Sequence, residues 1–190
     1  MIPGDLFTNY RKLVTRVDEF SSRLLLAYRD QLVCRQGCIA CCQQDLHLLP
    51  VEYYFLLEGF RQLPAAAQEL LKIRVKREAP SDGKSCLLLH EDGCLLYSHR
   101  PIICRTHGLP LLITTEGQER RDCCPKNFIG HPLEQLPRLD LLHLERLNTL
   151  LILVNHLFSS QTRLRPEKRL PVSRLLISSQ HRAPEERGFS

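Results

Sequence analysis

Nine cysteines in a chain of 190 residues are the side chains best equipped for chemistry here. Four of them, Cys34, Cys38, Cys41 and Cys42, crowd into one short run, and Cys86, Cys94, Cys104 and the adjacent pair Cys123 and Cys124 follow. Thiols at such spacings are soft donors for a metal ion or cluster, provided the compartment keeps them reduced. The N-terminus, from Met1 to Lys12, has no apolar stretch behind a basic start and no small-residue cleavage site, so a cytoplasmic location is expected. An odd number of cysteines also argues against a disulfide framework. Candidate metal ligands are therefore Cys34, Cys38, Cys41, Cys42, Cys86, Cys94, Cys104, Cys123 and Cys124, which must converge from distant parts of the chain.

Other chemistries find little support. The sequence contains no G-x-S-x-G, no G-x-x-x-x-G-K-[ST], no H-E-x-x-H and no G-x-G-x-x-G, which leaves hydrolase, nucleotide and dinucleotide readings without a motif. Asp45, His47 and Glu52 follow the first cysteines, but nothing sets them apart from polar residues flanking a helix. The formal charge of +5 assumes neutral thiols. Eight thiolates would remove eight charges and two divalent ions would restore four, leaving about +1, so the basic balance is poor evidence for a nucleic-acid partner. The longest apolar run, Leu150 to Val154, is far short of the roughly 20 residues of a membrane span. No membrane association is expected.

The elements that must position the cysteines can be read from periodicity. Leu6, Tyr10, Leu13, Val17, Phe20, Leu24 and Ala27 recur every three or four residues and predict an amphipathic helix from about Pro3 to Val33 that feeds into the first cysteines. Gly37 interrupts the pattern within the run. Pro50 opens a short helix to about Phe60, and Pro64 opens another through Ala79. A turn at Pro80-Ser81-Asp82-Gly83 precedes two short apolar runs, Cys86 to Leu89 and Cys94 to Tyr97, joined by Glu91-Asp92-Gly93 as a hairpin. Leu109 to Thr115 and Gln118 to Asp122 predict a second hairpin around Glu116-Gly117. The positions Leu139, Leu142, Leu147, Leu150, Leu151, Val154 and Leu157 predict a last helix, ending near Phe158, that covers the cysteine centre. Arg163, Arg165, Lys168, Arg169 and Arg174 then lead into a polar stretch, expected to be a solvated or loosely docked tail. The expected fold is mostly α with short β-hairpins: a single small helical domain organised around a composite cysteine metal centre. Its parts are an amphipathic helix over 1–33, a cysteine-cluster core over 34–130, a C-terminal helix packing on the core over 131–160 and a basic, polar tail over 161–190.

The block Cys34-x3-Cys38-x2-Cys41-Cys42, the segment Cys86-Leu87-Leu88-Leu89, and Cys94-Leu95-Leu96-Tyr97-Ser98-His99-Arg100-Pro101-Ile102-Ile103-Cys104-Arg105 together resemble the YkgJ-type cysteine-cluster (CxxCxxCC) family. Members carry eight characteristic cysteines and are described as zinc- or iron-chelating. The resemblance implies bound metal. This chain departs from the pattern in its first spacing, x3 where the family name has x2, and in offering Cys123 and Cys124 where one cysteine would complete eight.

Four thiolates suit either tetrahedral zinc or an iron–sulfur cluster. Eight of the nine cysteines could build two such sites, and each adjacent pair either bridges two centres or contributes one ligand and one buried thiol. Only Cys38 and Cys41 form a C-x2-C knuckle, whereas zinc ribbons use two. The x3, x2 triplet Cys34, Cys38, Cys41 is the spacing with which radical S-adenosylmethionine enzymes hold a cluster, although no βα repeats follow here. Both features tilt the cofactor expectation toward an iron–sulfur cluster over zinc. Arg100 and Arg105 flank Cys104; each is expected either to donate toward thiolates or to pair with carboxylates such as Asp92 or Asp122. His107, with His90 and His99, is expected beside the ligands and not among them, and Tyr97 reads as a core aromatic. The functional expectation is a thiolate metal-binding protein serving electron transfer or metal handling. Its alternatives are a zinc-stabilised module that binds a protein partner, and an iron–sulfur-dependent enzyme of unknown substrate.

Overall fold

In the computed structural model, residues 4–34, 37–42, 45–77, 86–90 and 93–175 are described. The described residues are mostly helical, with three small sheets among them. A turn at Gly4–Phe7 leads into α1 (Thr8–Ala27), followed by β1 (His47–Leu48), α2 (Pro50–Gln62) and α3 (Ala65–Arg77). Next come β2 (Leu89–His90), β3 (Gly93–Cys94), the short α4 (Ile102–Thr106), β4 (Leu111–Thr115), β5 (Gln118–Asp122), β6 (Leu142–His143), α5 (Leu144–Thr162) and β7 (Leu170–Pro171). Among the described residues no helix is long and apolar enough to cross a membrane.

Helix α2 is the axis of the molecule and is buried on nearly every side. Val51 and Phe55 face Tyr10, Leu13, Val14 and Val17 of α1 and Leu147, Leu151 and Phe158 of α5. Phe7 is wedged between Phe55 and Phe158, with ring centroids 5.6 and 5.3 Å away. On its other side Tyr53, Leu56, Leu57 and Phe60 pack with Leu71 of α3, Leu88 and Leu96 around the β2–β3 hairpin, and Val172 and Leu175. A third, smaller cluster joins Leu24 and Leu32 to Leu109 and Phe128. Gly59 of α2 lets the turn Tyr97–His99 lie against the helix, since a Cβ there would stand 2.3 Å from His99 Cγ.

The N-terminus of α2 is fixed by two buried polar side chains. Glu52, 4% exposed, accepts hydrogen bonds from the backbone N–H of Leu49 at 3.4 Å and, across the fold, of Ile102 at 3.0 Å. One carboxylate thus caps both α2 and α4, satisfying N–H groups that have no partner within their own helices. Asn155 of α5 accepts from Val51 N–H at 3.1 Å and donates to the Pro166 carbonyl at 2.9 Å. Glu52 is therefore a scaffold residue; Asp45 is another, its carboxylate holding Ser173 through the backbone N–H at 3.0 Å and the hydroxyl at 2.6 Å.

Several expected boundaries differ. Helix α1 ends at Ala27, which is exposed, because Tyr28 turns off the axis to donate to Asp140 at 2.5 Å and to pack on Phe128 at 5.4 Å. The Cys86 to Leu89 and Cys94 to Tyr97 hairpin shrinks to Leu89↔Cys94 and His90↔Gly93, because Cys86 N–H instead donates to the Cys42 carbonyl at 2.9 Å. The second hairpin runs Leu111↔Asp122 to Thr115↔Gln118, and β6 adds to it in parallel through Leu111↔Leu142. That parallel strand delays the last helix to Leu144.

The buried face of α5 carries Leu147, Leu151, Asn155, Phe158 and Ser159, while Leu139, Leu150 and Leu157 are exposed. Helix α5 packs on α1 and α2, and its residues are not among those lining the cysteine cavity. The expected loose tail is docked as far as residue 175: β7 pairs antiparallel with β1 through His47↔Pro171 and Leu48↔Leu170, and Val172 and Leu175 are buried. The turn expected at Pro80–Gly83, the Glu91-Asp92 link and residues 176–190 lie outside the described residues.

Burial pushes the Glu52 carboxyl up, against the two backbone N–H groups that favour its charged form. The fold therefore holds this proton more tightly than the unfolded chain does. The stability from this group is complete below the unfolded value near 4.3 and declines as pH rises from there through the folded pKa. Glu52→Gln is expected to flatten that slope in urea denaturation series between pH 4 and 8, whereas Glu52→Ala, which strands both N–H groups, lowers stability by about 2–4 kcal/mol.

Candidate metal centre

The chain delivers its thiols from four places. Cys34, Cys38, Cys41 and Cys42 lie on the turns after α1, Cys86 and Cys94 at the β2–β3 hairpin, Cys104 within α4, and Cys123 and Cys124 immediately after β5. All nine are free thiols. Six of them, Cys38, Cys41, Cys42, Cys86, Cys94 and Cys104, line a cavity of about 370 Å³ whose other walls include Leu46, Leu56, Leu88, Ile103, Val172, Tyr97, Arg100 and His107. A more open cavity of about 480 Å³ shares Cys38, Cys41, Cys104, Arg100 and His107 and adds Cys34, Asp18 and Arg105.

The two arginines flanking Cys104 do different things. Arg105 is almost fully buried and binds Asp18 of α1 through Nη1 at 2.6 and 2.8 Å. It also donates to the carbonyls of Arg100, at 2.7 Å, and Ser98. It pairs with a carboxylate, as one of the two expectations had it, and the partner is Asp18; Asp92 lies outside the described residues. Arg100 stacks on the Tyr97 ring at 3.5 Å and donates to the carbonyls of Tyr97 at 3.1 Å and Cys104 at 3.4 Å. Its charge eases ionisation of Cys42, Cys94 and Cys104.

Burial is nevertheless the largest influence on these thiols. It pushes up Cys34, Cys41, Cys42, Cys86, Cys94, Cys104 and Cys123, Cys104 the furthest, and neighbouring sulfurs add to the effect. At neutral pH such groups hold their protons until a cation competes for the sulfur, so binding a metal here releases protons.

His107 lines both cavities. His99 instead packs on Phe55 at 4.9 Å beside Gly59 and contacts Ser98 Oγ through Nδ1 at 3.0 Å, and His90 belongs to β2.

Asn127 was not legible as a site residue, yet it is 4% exposed and touches a thiol. Its Nδ2 donates to Cys34 Sγ at 3.2 Å and to the Gly108 carbonyl at 2.6 Å, while Oδ1 accepts from Val33 N–H at 3.0 Å. Asn127 N–H closes a turn onto the Cys124 carbonyl at 2.9 Å. The signal available in the sequence was an asparagine three residues after a cysteine pair and Pro125, a turn-forming context. Gly108 faces the same sulfur: a Cβ there would lie 2.3 Å from Cys34 Sγ and 3.6 Å from Cys124 Cβ, and its φ of 95° disfavours any side chain.

Among the described residues, no three Cys, His, Asp or Glu side chains already stand together as a set of metal ligands. The donor chemistry fits a metal nonetheless. The smaller cavity is lined by six cysteines, apolar side chains and one arginine, a surrounding that suits thiophilic metals. These features make the cavity a candidate metal site. The model of the CxxCxxCC family, described as "Putative zinc- or iron-chelating domain", matches residues 33–128, and the chain belongs to that family. No curated protein and no solved structure matches the chain.

Gly108→Ala is expected to lose about 1–2 kcal/mol from backbone strain alone and to drive Cys34 out of its seat. Urea denaturation measures the first effect. The rate at which Cys34 reacts with a thiol reagent, followed by peptide mapping, measures the second and should rise.

Proposed function

We propose that this protein chelates iron through its cysteine thiolates, as an iron–sulfur centre, and serves electron transfer or the handling of metal in the cytoplasm. The observation that carries the reading is the cavity of about 370 Å³ lined by Cys38, Cys41, Cys42, Cys86, Cys94 and Cys104 beside Arg100. A lone zinc ion draws its four sulfurs to about 2.3 Å. The thiols here line a space larger than one ion fills, which favours a polynuclear group. Such a group, when bound, supplies one-electron chemistry.

The chain's own residues would set its properties. Cys42, Cys86, Cys94 and Cys104 hold it; Arg100, fixed by Tyr97 and two carbonyls, offsets part of the thiolate charge; and Leu46, Leu56, Leu88 and Val172 limit the approach of water, raising the weight of that one positive charge.

A second reading, a zinc-stabilised module for a protein partner, draws support from the exposed leucines Leu150, Leu153 and Leu157 of α5. The two readings differ in colour. Anaerobic purification is expected to give a brown protein with broad absorption near about 400 nm and with iron and sulfide in metal analysis. A colourless protein with stoichiometric zinc would instead select the second reading. Cys104→Ser should remove most of the iron while leaving the far-ultraviolet circular dichroism close to wild type, because three hydrophobic clusters remain in place.

A further inference from the structure

The nine thiols are not distributed evenly over one space. Cys42, Cys86 and Cys94 line only the enclosed cavity, whereas Cys34 lines only the open one. Cys42 and Cys86 are tied by a backbone hydrogen bond of 2.9 Å, and Cys86 and Cys94 pack on the cluster built around Tyr53 and Phe60. The other end of the array belongs to a different support: Cys123 packs on the cluster of Leu24, Leu109 and Phe128, and Cys34 and Cys124 share the space that glycine leaves at position 108.

Cys38, Cys41 and Cys104 line both cavities. Cys123 is set apart, since its S–H donates to the carbonyls of Cys124 at 3.3 Å and Asn127 at 3.8 Å.

Asn127 is oriented by backbone on both sides. Its Oδ1 is committed to Val33 N–H, one N–H to the Gly108 carbonyl, and the remaining N–H to Cys34 Sγ. A buried amide held this way is a fixed donor to one sulfur, a contact that stabilises a thiolate ligand.

We propose that the thiols form two separate metal centres, one from Cys42, Cys86, Cys94 and Cys104 and a second from Cys34, Cys38, Cys41 and Cys124, with Asn127 positioning the second and Cys123 outside both. The adjacent Cys41 and Cys42 then serve different centres. Each centre takes a thiophilic metal, as a single ion or within a cluster. This division rests on the thiolate reading above and adds the number and membership of the centres.

The test is anaerobic titration of the metal-free full chain with cobalt(II), whose thiolate charge-transfer absorption counts sites whatever the native metal. Wild type is expected to take two equivalents. Cys42→Ser and Cys34→Ser should each lose a different one, the double variant both, and Cys123→Ser neither. If circular dichroism shows that one of these does not fold, Cys94→Ser and Cys124→Ser replace them.

Asn127→Leu should keep both equivalents, weaken one about tenfold, and move the charge-transfer band of that one alone to lower energy, because the sulfur has lost its hydrogen bond. A single equivalent in wild type, or a double variant no worse than either single one, overturns the two-centre division while leaving thiolate binding intact. An unmoved band in Asn127→Leu overturns the role of Asn127. No cobalt binding at all overturns both this division and the thiolate reading beneath it.

Discussion

The arrangement of this protein depends on one buried carboxylate. Glu52 sits where α2 begins and reaches across to the first N–H of α4, so the helix that carries Cys104 is held by the core and not by its own length. A helix of five residues has almost no stability in isolation. Its position comes from the Glu52 cap at one end, from Ile102 packed among the residues of α1, α2 and α5, and from the Arg105–Asp18 pair that fastens its side to α1. Cys104 and the Arg100 turn before it are therefore placed by groups that do not depend on metal. In this respect the fold differs from small zinc-dependent modules, whose cores are too slight to stand alone.

The two arginines beside Cys104 show how one sequence motif divides its labour. Arg105 spends its N–H groups on Asp18 and on backbone carbonyls, and it joins elements together. Arg100 is anchored through one edge and its flat face, and its charge acts on three sulfurs. A lysine would lose both the stacking on Tyr97 and the forked anchoring.

Much of the fold was legible, and the failures have physical causes. Helix α2 announced itself through Pro50, and the β4–β5 hairpin through Glu116-Gly117, because each signal acts locally on the backbone. The stripe of α5 is legible in part: Leu147 and Leu151 are buried and Leu142 and Val154 pack on the core, but the buried face also contains Asn155 and Ser159, and the leucines at 139, 150 and 157 are exposed. Asn155 is buried because it answers the N-terminus of α2, a demand made by a distant element that no local pattern shows. The same holds for the end of α1, decided by the pull of Asp140 on Tyr28, and for the docking of residues 170–175. For the candidate site, residue type alone makes the thiols candidates, whereas Asn127 and Gly108 matter only through what the fold sets opposite them. Family membership covers residues 33–128, and much of what positions that segment, from α1, α5 and β7, lies beyond it.

The pairing of β7 with β1 also has a temporal side. Val172 is part of the wall around the cysteine cavity, and the strand just before it closes onto the strand that follows the first cysteine run. On the ribosome, then, Cys34 to Cys42 emerge long before the segment that shelters them is synthesised. The thiols are open to oxidants and to stray metal ions throughout that interval, and a complete cavity exists only once translation has passed residue 172. The shelter of the first cysteine run thus depends on a segment more than a hundred residues further along the chain.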